Sequence, residues 1–125
     1  MPIAIPTLRL RLVFDARRAI GPGKIDLLEA VARSGSIAAA ARAMRMSYKR
    51  AWQLIDELNR CFDTQLIATS KGGERGGGAA LTTQGEKVLA AYRSIERKAN
   101  HSARAEMRAL QRLLRPHRAS SRVAT

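Results

Sequence analysis

The chain has 125 residues, room for one ordinary domain, and 46% of them are hydrophobic, which excludes wholesale disorder. Aromatic residues make up only 4% while alanine is abundant, a balance that favours closely packed helices over a large β-sandwich. Lysine and arginine number 23 against 10 acidic residues, and a formal charge of +13 carries a self-repulsion that points to a polyanionic partner.

The start, Met1-Pro2-Ile3-Ala4-Ile5-Pro6, lacks the charged head and long apolar stretch of a signal peptide, and no apolar run reaches the ~18–20 residues of a membrane span. The single cysteine, Cys61, has no partner for an internal disulfide and fits a reducing compartment, so a cytoplasmic protein without a membrane partner is expected. Leu8, Leu10, Leu12 and Phe14 alternate with Arg9, Arg11 and Val13, which predicts a first strand with one buried face. Gly21-Pro22-Gly23 breaks the chain. From about Lys24 to Ser34, Ile25, Leu28, Val31 and Ala32 recur at helical spacing, and Gly35 is placed to end that helix in the left-handed conformation.

Ser36 is positioned to cap a short second helix, Ile37 to Met44, and Ser47 a third that runs to about Cys61 with Ala51, Leu54, Ile55 and Leu58 facing inward. Gln65 to Ser70 reads as a second strand and Ala79 to Thr82 as a third, separated by the glycine-dense stretch Lys71 to Gly78. Thr83 is expected to cap a long final helix whose apolar stripe runs Val88, Tyr92, Ile95, Ala99, Ala103, Met107, Leu110 and Leu114. Unbroken to Arg115 it would span ~48 Å, more than a domain of this size needs for its own core, with Asn100-His101-Ser102 as its weak point. Pro116 ends it. The expected organisation is one winged helix-turn-helix domain over residues 1–115, mainly α with a small β-sheet and wing, followed by a disordered basic tail over residues 116–125.

Residues Ser34 to Leu58 carry the functional inference. Two helices crossing over a tight turn approach closely only where the contact residues are small, and Ala40 and Ala41 meet that need, with Met44 and Met46 to fill the corner. The third helix then turns Ser47, Tyr48, Lys49, Arg50, Gln53 and Trp52 outward, although Trp52 reads equally well as half-buried core. Arginine pairs with guanine and glutamine with adenine through two hydrogen bonds in the major groove, and a helix N-terminus with added cations suits phosphate. The glycine loop lacks the Gly-Lys-Ser/Thr of a nucleotide-binding loop and fits a wing whose Lys71 and Arg75 hold the sugar-phosphate chain. The candidate DNA-contacting residues are therefore Ser36, Ser47, Tyr48, Lys49, Arg50, Trp52, Gln53, Lys71 and Arg75.

Catalysis finds little support. His101 and His117 lie far apart with no cysteine or carboxylate at metal-ligand spacing, Cys61 reads as a small hydrophobe, and Glu29, Asp56, Glu57 and Asp63 single out no carboxylate pair. No enzyme activity, cofactor or metal is expected. The last third is strongly basic, from Arg93, Arg97 and Lys98 through Arg104, Arg108, Arg112 and Arg115 to Arg118 and Arg122. It reads either as the solvated face of an amphipathic helix or as extra non-specific affinity for DNA. A membrane-surface helix fits less well, because the apolar stripe is largely Ala and Met.

Gly35-Ser36-Ile37, the run Ser47-Tyr48-Lys49-Arg50-Ala51-Trp52, then Ile55 and Leu58, and the wing Gly72 to Gly78 followed by Leu81-Thr82 resemble the N-terminal domain of the molybdate-responsive transcription regulators, the ModE family. The resemblance covers about residues 8 to 100. A more distant similarity to the LysR-type DNA-binding domain runs through Gly35-Ser36, Ala40-Ala41 and a long helix after the wing. The resemblance implies a homodimer on an inverted-repeat duplex, with the first strand and the long helix contributing to dimerisation. Leu10, Leu12, Val88, Tyr92, Ile95, Met107 and Leu110 are the residues expected there. Family members carry a C-terminal oxyanion-binding region, so a chain of this length is expected to be a stand-alone DNA-binding half that does not itself sense molybdate. Two other readings stay open: a non-specific architectural DNA-binding protein, and a module whose last helix recruits a separate effector-sensing partner.

Overall fold

The computed structural model of the chain describes residues 5–70 and 78–116. A two-stranded hairpin, β1 (Leu12–Val13) and β2 (Ala19–Ile20), leads into α1 (Pro22–Ser34), α2 (Ile37–Ala43) and α3 (Tyr48–Cys61). A second antiparallel hairpin, β3 (Ile67–Ser70) and β4 (Gly78–Leu81), is followed by α4 (Thr83–Ser102) and α5 (Arg104–Arg112). Its register pairs Ile67 with Leu81 and Ser70 with Gly78. This is the winged helix-turn-helix order expected from the sequence.

The core forms where α1, α2 and α3 meet: Ile25, Leu28, Val31, Ala40, Ala51, Ile55 and Leu58 are all buried, and Leu66, Ile67 and Tyr92 close it from the wing and α4. Leu27 joins them, whereas Ala32 lies on the exposed side of α1. The helix also starts earlier than the glycines imply, because Pro22 occupies its first position, where the missing N–H costs nothing.

The expected strand from Leu8 to Phe14 is mostly an extended arm. Only Leu12–Val13 finds a strand partner, since the chain turns back at Asp15, whose carboxylate accepts from the Arg17 and Arg18 amides at 3.0 and 2.8 Å. The arm instead lies along α4. Asn100 accepts from the Leu8 amide at 2.7 Å and donates to the Glu96 carbonyl at 2.8 Å, while the Tyr92 hydroxyl donates to the Leu10 carbonyl. The alternation survives, with Leu8, Leu10 and Leu12 half-buried and Arg9 and Arg11 exposed, but Phe14 lies beyond the end of β1, at the mouth of the turn, and stays outside, edge-on to Phe62.

Two further expectations are corrected. Thr82, not Thr83, caps α4: its hydroxyl accepts from the Gly85 amide at 3.0 Å and donates to the Gln65 carbonyl at 2.7 Å, so one side chain fixes both the helix start and the wing. The long helix is not continuous either. It breaks at Ala103, next to the Asn100-His101-Ser102 weak point, and ends at Arg112, short of Pro116. The residues beyond Pro116, including His117, Arg118 and Arg122, lie outside the described part.

Candidate nucleic-acid interface

Gly35 sets up the interface. Its φ of 71° ends α1 in the left-handed region that glycine adopts without penalty. Its carbonyl then accepts from the Ala79 amide at 2.9 Å, which hangs the wing on the junction between α1 and α2. Ser36 caps α2 through the Ala39 amide at 3.1 Å, and Ser47 caps α3 through the Arg50 amide at 3.0 Å, both as the sequence predicts. Between them Ala40 and Ala41 are 0% and 2% exposed, and Met44 and Met46 pack partly against the core. The turn holds Arg45 at a φ of 57°, a left-handed conformation on a residue other than glycine that composition alone does not reveal.

Buried Ala51, Leu54, Ile55 and Leu58 anchor one side of α3, so its other side faces outward by helical geometry. Ser47, Tyr48, Lys49, Arg50, Trp52 and Gln53 all lie on that outer surface. Tyr48 and Trp52 are 55% and 37% exposed and meet edge to face with ring centres 6.3 Å apart. An Arg50 guanidinium nitrogen lies 3.4 Å from Gln53 Oε1, so the two groups that suit base edges sit side by side. No acidic residue occupies the first turn of α3. Asp56 is taken up by Arg60 one turn on, and Glu57 by Lys24 at 3.1 Å, leaving the N-terminal half cationic.

Arg42 and Arg45, at the end of α2 and in the turn, are exposed and make no ion pair with the other described residues. Sequence reasoning passed over them. Neither has an acidic residue three or four positions away, and that was the available signal. Lys71 and Arg75, the expected wing contacts, lie outside the described residues; β3 and β4 bring both ends of their loop together at Ser70 and Gly78, where the Gly78 amide donates to Ser70 Oγ at 3.2 Å.

The expected dimer stripe divides. Tyr92 is 2% exposed and belongs to this chain's own core, where burial pushes its phenol above the ordinary value. Leu12 and Val88 pack against that core and Leu10 is half-buried. Ile95, Leu110, Leu113 and Leu114 are 40, 65, 81 and 69% exposed, and α5 has no buried residue. Met107 is half-buried beside them.

Arg93 ties α4 to α1. It reaches Asp26 at 2.9 Å, Glu29 at 3.1 Å through Nε, and Glu96 at 2.9 Å. Partial burial works against its charge, but the hydrogen bonds to Glu96, Asp26 and Glu29 together outweigh this and hold the guanidinium above its ordinary value. This cluster orients the helix carrying the apolar stripe. Among the described residues no three His, Cys, Asp or Glu side chains assemble as metal ligands, and no helix is long and apolar enough to cross a membrane.

Residues 23–86 match the family described as bacterial regulatory helix-turn-helix protein, lysR family. The molybdenum-pterin-binding protein MopB of Rhodobacter capsulatus is 44% identical over 77 residues, 62% of this chain and 28% of that protein. The molybdenum transport protein ModE of Azotobacter vinelandii is 41% identical over 88 residues, 70% of this chain and 33% of that protein. The DNA-binding transcriptional dual regulator ModE of Escherichia coli K12 is 40% identical over 83 residues, 66% of this chain and 32% of that protein. The chain thus spans about a third of the length of these relatives. Among solved structures, the CbnR DBD–DNA complex superposes with a TM-score of 0.55 at 25% identity, covering 70% of this chain and 94% of that one. MepR, a transcription regulator of the Staphylococcus aureus multidrug efflux pump MepA, shares the fold with a TM-score of 0.58 at 21% identity, over 70% of this chain and 65% of that one.

Proposed function

From a chain that belongs to the lysR family of bacterial regulatory helix-turn-helix proteins, and whose DNA-binding domain is of the ModE kind, we propose a homodimeric regulator of transcription that reads an inverted repeat in duplex DNA. The observation that carries this reading is the outer surface of α3. Tyr48, Lys49, Arg50, Trp52 and Gln53 are exposed together at the N-terminal end of a helix whose opposite side is fully packed. In this reading α3 enters the major groove, Arg50 and Gln53 address base edges, and Tyr48 and Trp52 pack on sugar or thymine methyl groups. Lys49, Lys71 and Arg75 hold phosphate, and the caps Ser36 and Ser47 aim the amides of two helix N-termini the same way.

The exposed Ile95 and Leu110, with half-buried Met107 beside them, favour a second copy of the chain as their cover, which would set two copies of α3 about one helical turn (~34 Å) or a multiple apart. The relatives' names make molybdenum-related genes the first to examine, and leave room for a separate effector-sensing partner.

Competition binding tests the reading against a non-specific architectural role. A regulator prefers its selected site over random duplex by at least ~10³-fold, whereas an architectural protein shows no such margin. Within that assay, Arg50→Ala is expected to cost about 1–3 kcal/mol and to relax preference at one or two base pairs. Lys71→Ala should weaken all duplexes alike and make the log–log salt dependence shallower by about one unit. Equal, uniform losses in both variants would contradict the division between reading and holding.

A further inference from the structure

Six of the nine acidic side chains of the described residues are spent on the body of the domain; Asp63, Glu86 and Glu106 form no ion pair with another described residue, and Glu106 lies about 160° around α5 from Arg108. Asp15 pairs with Arg18, Asp26 and Glu29 with Arg93, Glu96 with Arg93, Asp56 with Arg60 and Glu57 with Lys24. Far from α3 in sequence, Arg97, Arg104, Arg108, Arg112 and Arg115 are exposed, and none forms an ion pair or side-chain hydrogen bond with another described residue.

Their spacing gives them one side of the helix. At about 100° per residue, Arg104, Arg108 and Arg112 of α5 form a stripe roughly 130° away from Met107 and Leu110. Successive arginines four positions apart rise ~6 Å, close to the ~7 Å that one strand of a duplex advances over two phosphate steps. The stripe continues onto α4 across a shallow cleft of about 530 Å³, lined by Thr7, Arg9, Arg97, His101 and Arg104. The one carboxylate on that cleft, Glu96, is held by Arg93 at 2.9 Å.

We infer that the arginine stripe of α5, with Arg97 and the cleft beside it, is a second surface for the phosphodiester backbone of DNA, separate from the α3 interface. It rests on the DNA-binding reading above but makes a distinct claim about where the charge is used. Apolar Met107 and Leu110 leave the opposite side free for a second copy, so the two uses of α5 do not compete. Contacts to phosphate carry no sequence information, so the surface binds without regard to sequence.

The test measures salt dependence with the full chain, on a duplex bearing the selected site and several times longer than it. R104Q/R108Q/R112Q should make the log–log slope shallower by about 2–3 units and weaken binding at least tenfold at moderate salt, with the selected sequence unchanged. R104K/R108K/R112K should keep the parent slope, since phosphate needs the charge and not the guanidinium shape. A glutamine variant with the parent slope overturns the inference, and so does a lysine variant that loses the slope equally, because that loss would be structural. Parent-like DNA binding together with lost binding to phosphatidylglycerol vesicles assigns the stripe to a membrane surface and overturns it as well. If the parent chain binds no duplex, it is the functional reading that fails.

Discussion

Gly85 sits where α4 presses on the end of β3, and a Cβ built there would stand 2.1 Å from the Leu66 carbonyl oxygen. That neighbour is backbone, so it cannot swing aside. Gly85→Ala is expected to lower stability by roughly 3 kcal/mol, read as a lower urea midpoint at unchanged slope. Tyr92 makes a second prediction. Tyr92→Phe removes the hydrogen bond to the Leu10 carbonyl and should cost about 1 kcal/mol at neutral pH. Because the buried phenol is held above its ordinary value of 10.0, the folded state keeps its proton where the unfolded chain has lost it. Its contribution is full below pH 10.0 and is lost as the pH rises through the raised folded value. Alkaline unfolding curves should therefore be flatter for the phenylalanine variant than for the parent. Local signals such as Gly35, Ser36 and Ser47 were legible in the sequence, since each partner lies within four residues. Gly85 and Tyr92 were not, because what they touch, Leu66 and Leu10, is brought near only by the fold.

Elements divided in the same way. α2 and α3 were readable because small residues, caps and apolar spacing all agree over a short stretch. The extended arm carries the alternation of a strand without being one, for alternation reports one buried side and not a hydrogen-bonded partner; Asn100 supplies the bond instead. The break at Ala103 has only a weak sequence mark, and α5 beyond it has no buried residue. What fixes α4 is the Arg93 cluster, invisible to spacing because Asp26 and Glu29 are 67 and 64 positions away. Arg93→Ala would strip Glu96 of its cation and break the tie from α4 to α1, leaving Asp26 with Arg9 at 3.5 Å and Glu29 with Arg33 at 2.9 Å. It is expected to cost about 2–3 kcal/mol and to loosen α4, detectable as faster amide exchange along α4 than in the parent.

For the whole molecule, charge and apolar surface are sorted by direction. The surface around the core balances most of its acids against nearby bases, the outer side of α3 and the arginine stripe of α5 stay cationic, and the exposed leucines collect at the far end of the last helix. Isolated exposed leucines are ordinary, but a run of them is the kind of patch that the proposed dimer would cover. Sedimentation at micromolar concentration should find a dimer, and Leu110→Glu should shift it toward monomer while leaving the fold intact by circular dichroism. A parent chain that stays monomeric would contradict the two-fold arrangement, and with it the inverted repeat.

The claim on which the account turns is that α3 reads bases. Selection from a random duplex pool, run in parallel with the parent chain and with Arg50→Ala, tests it most directly. The parent should enrich a two-fold symmetric sequence, and the variant should enrich the same sequence with one or two positions per half-site relaxed. No enriched sequence from the parent, or an identical one from both proteins, would contradict it.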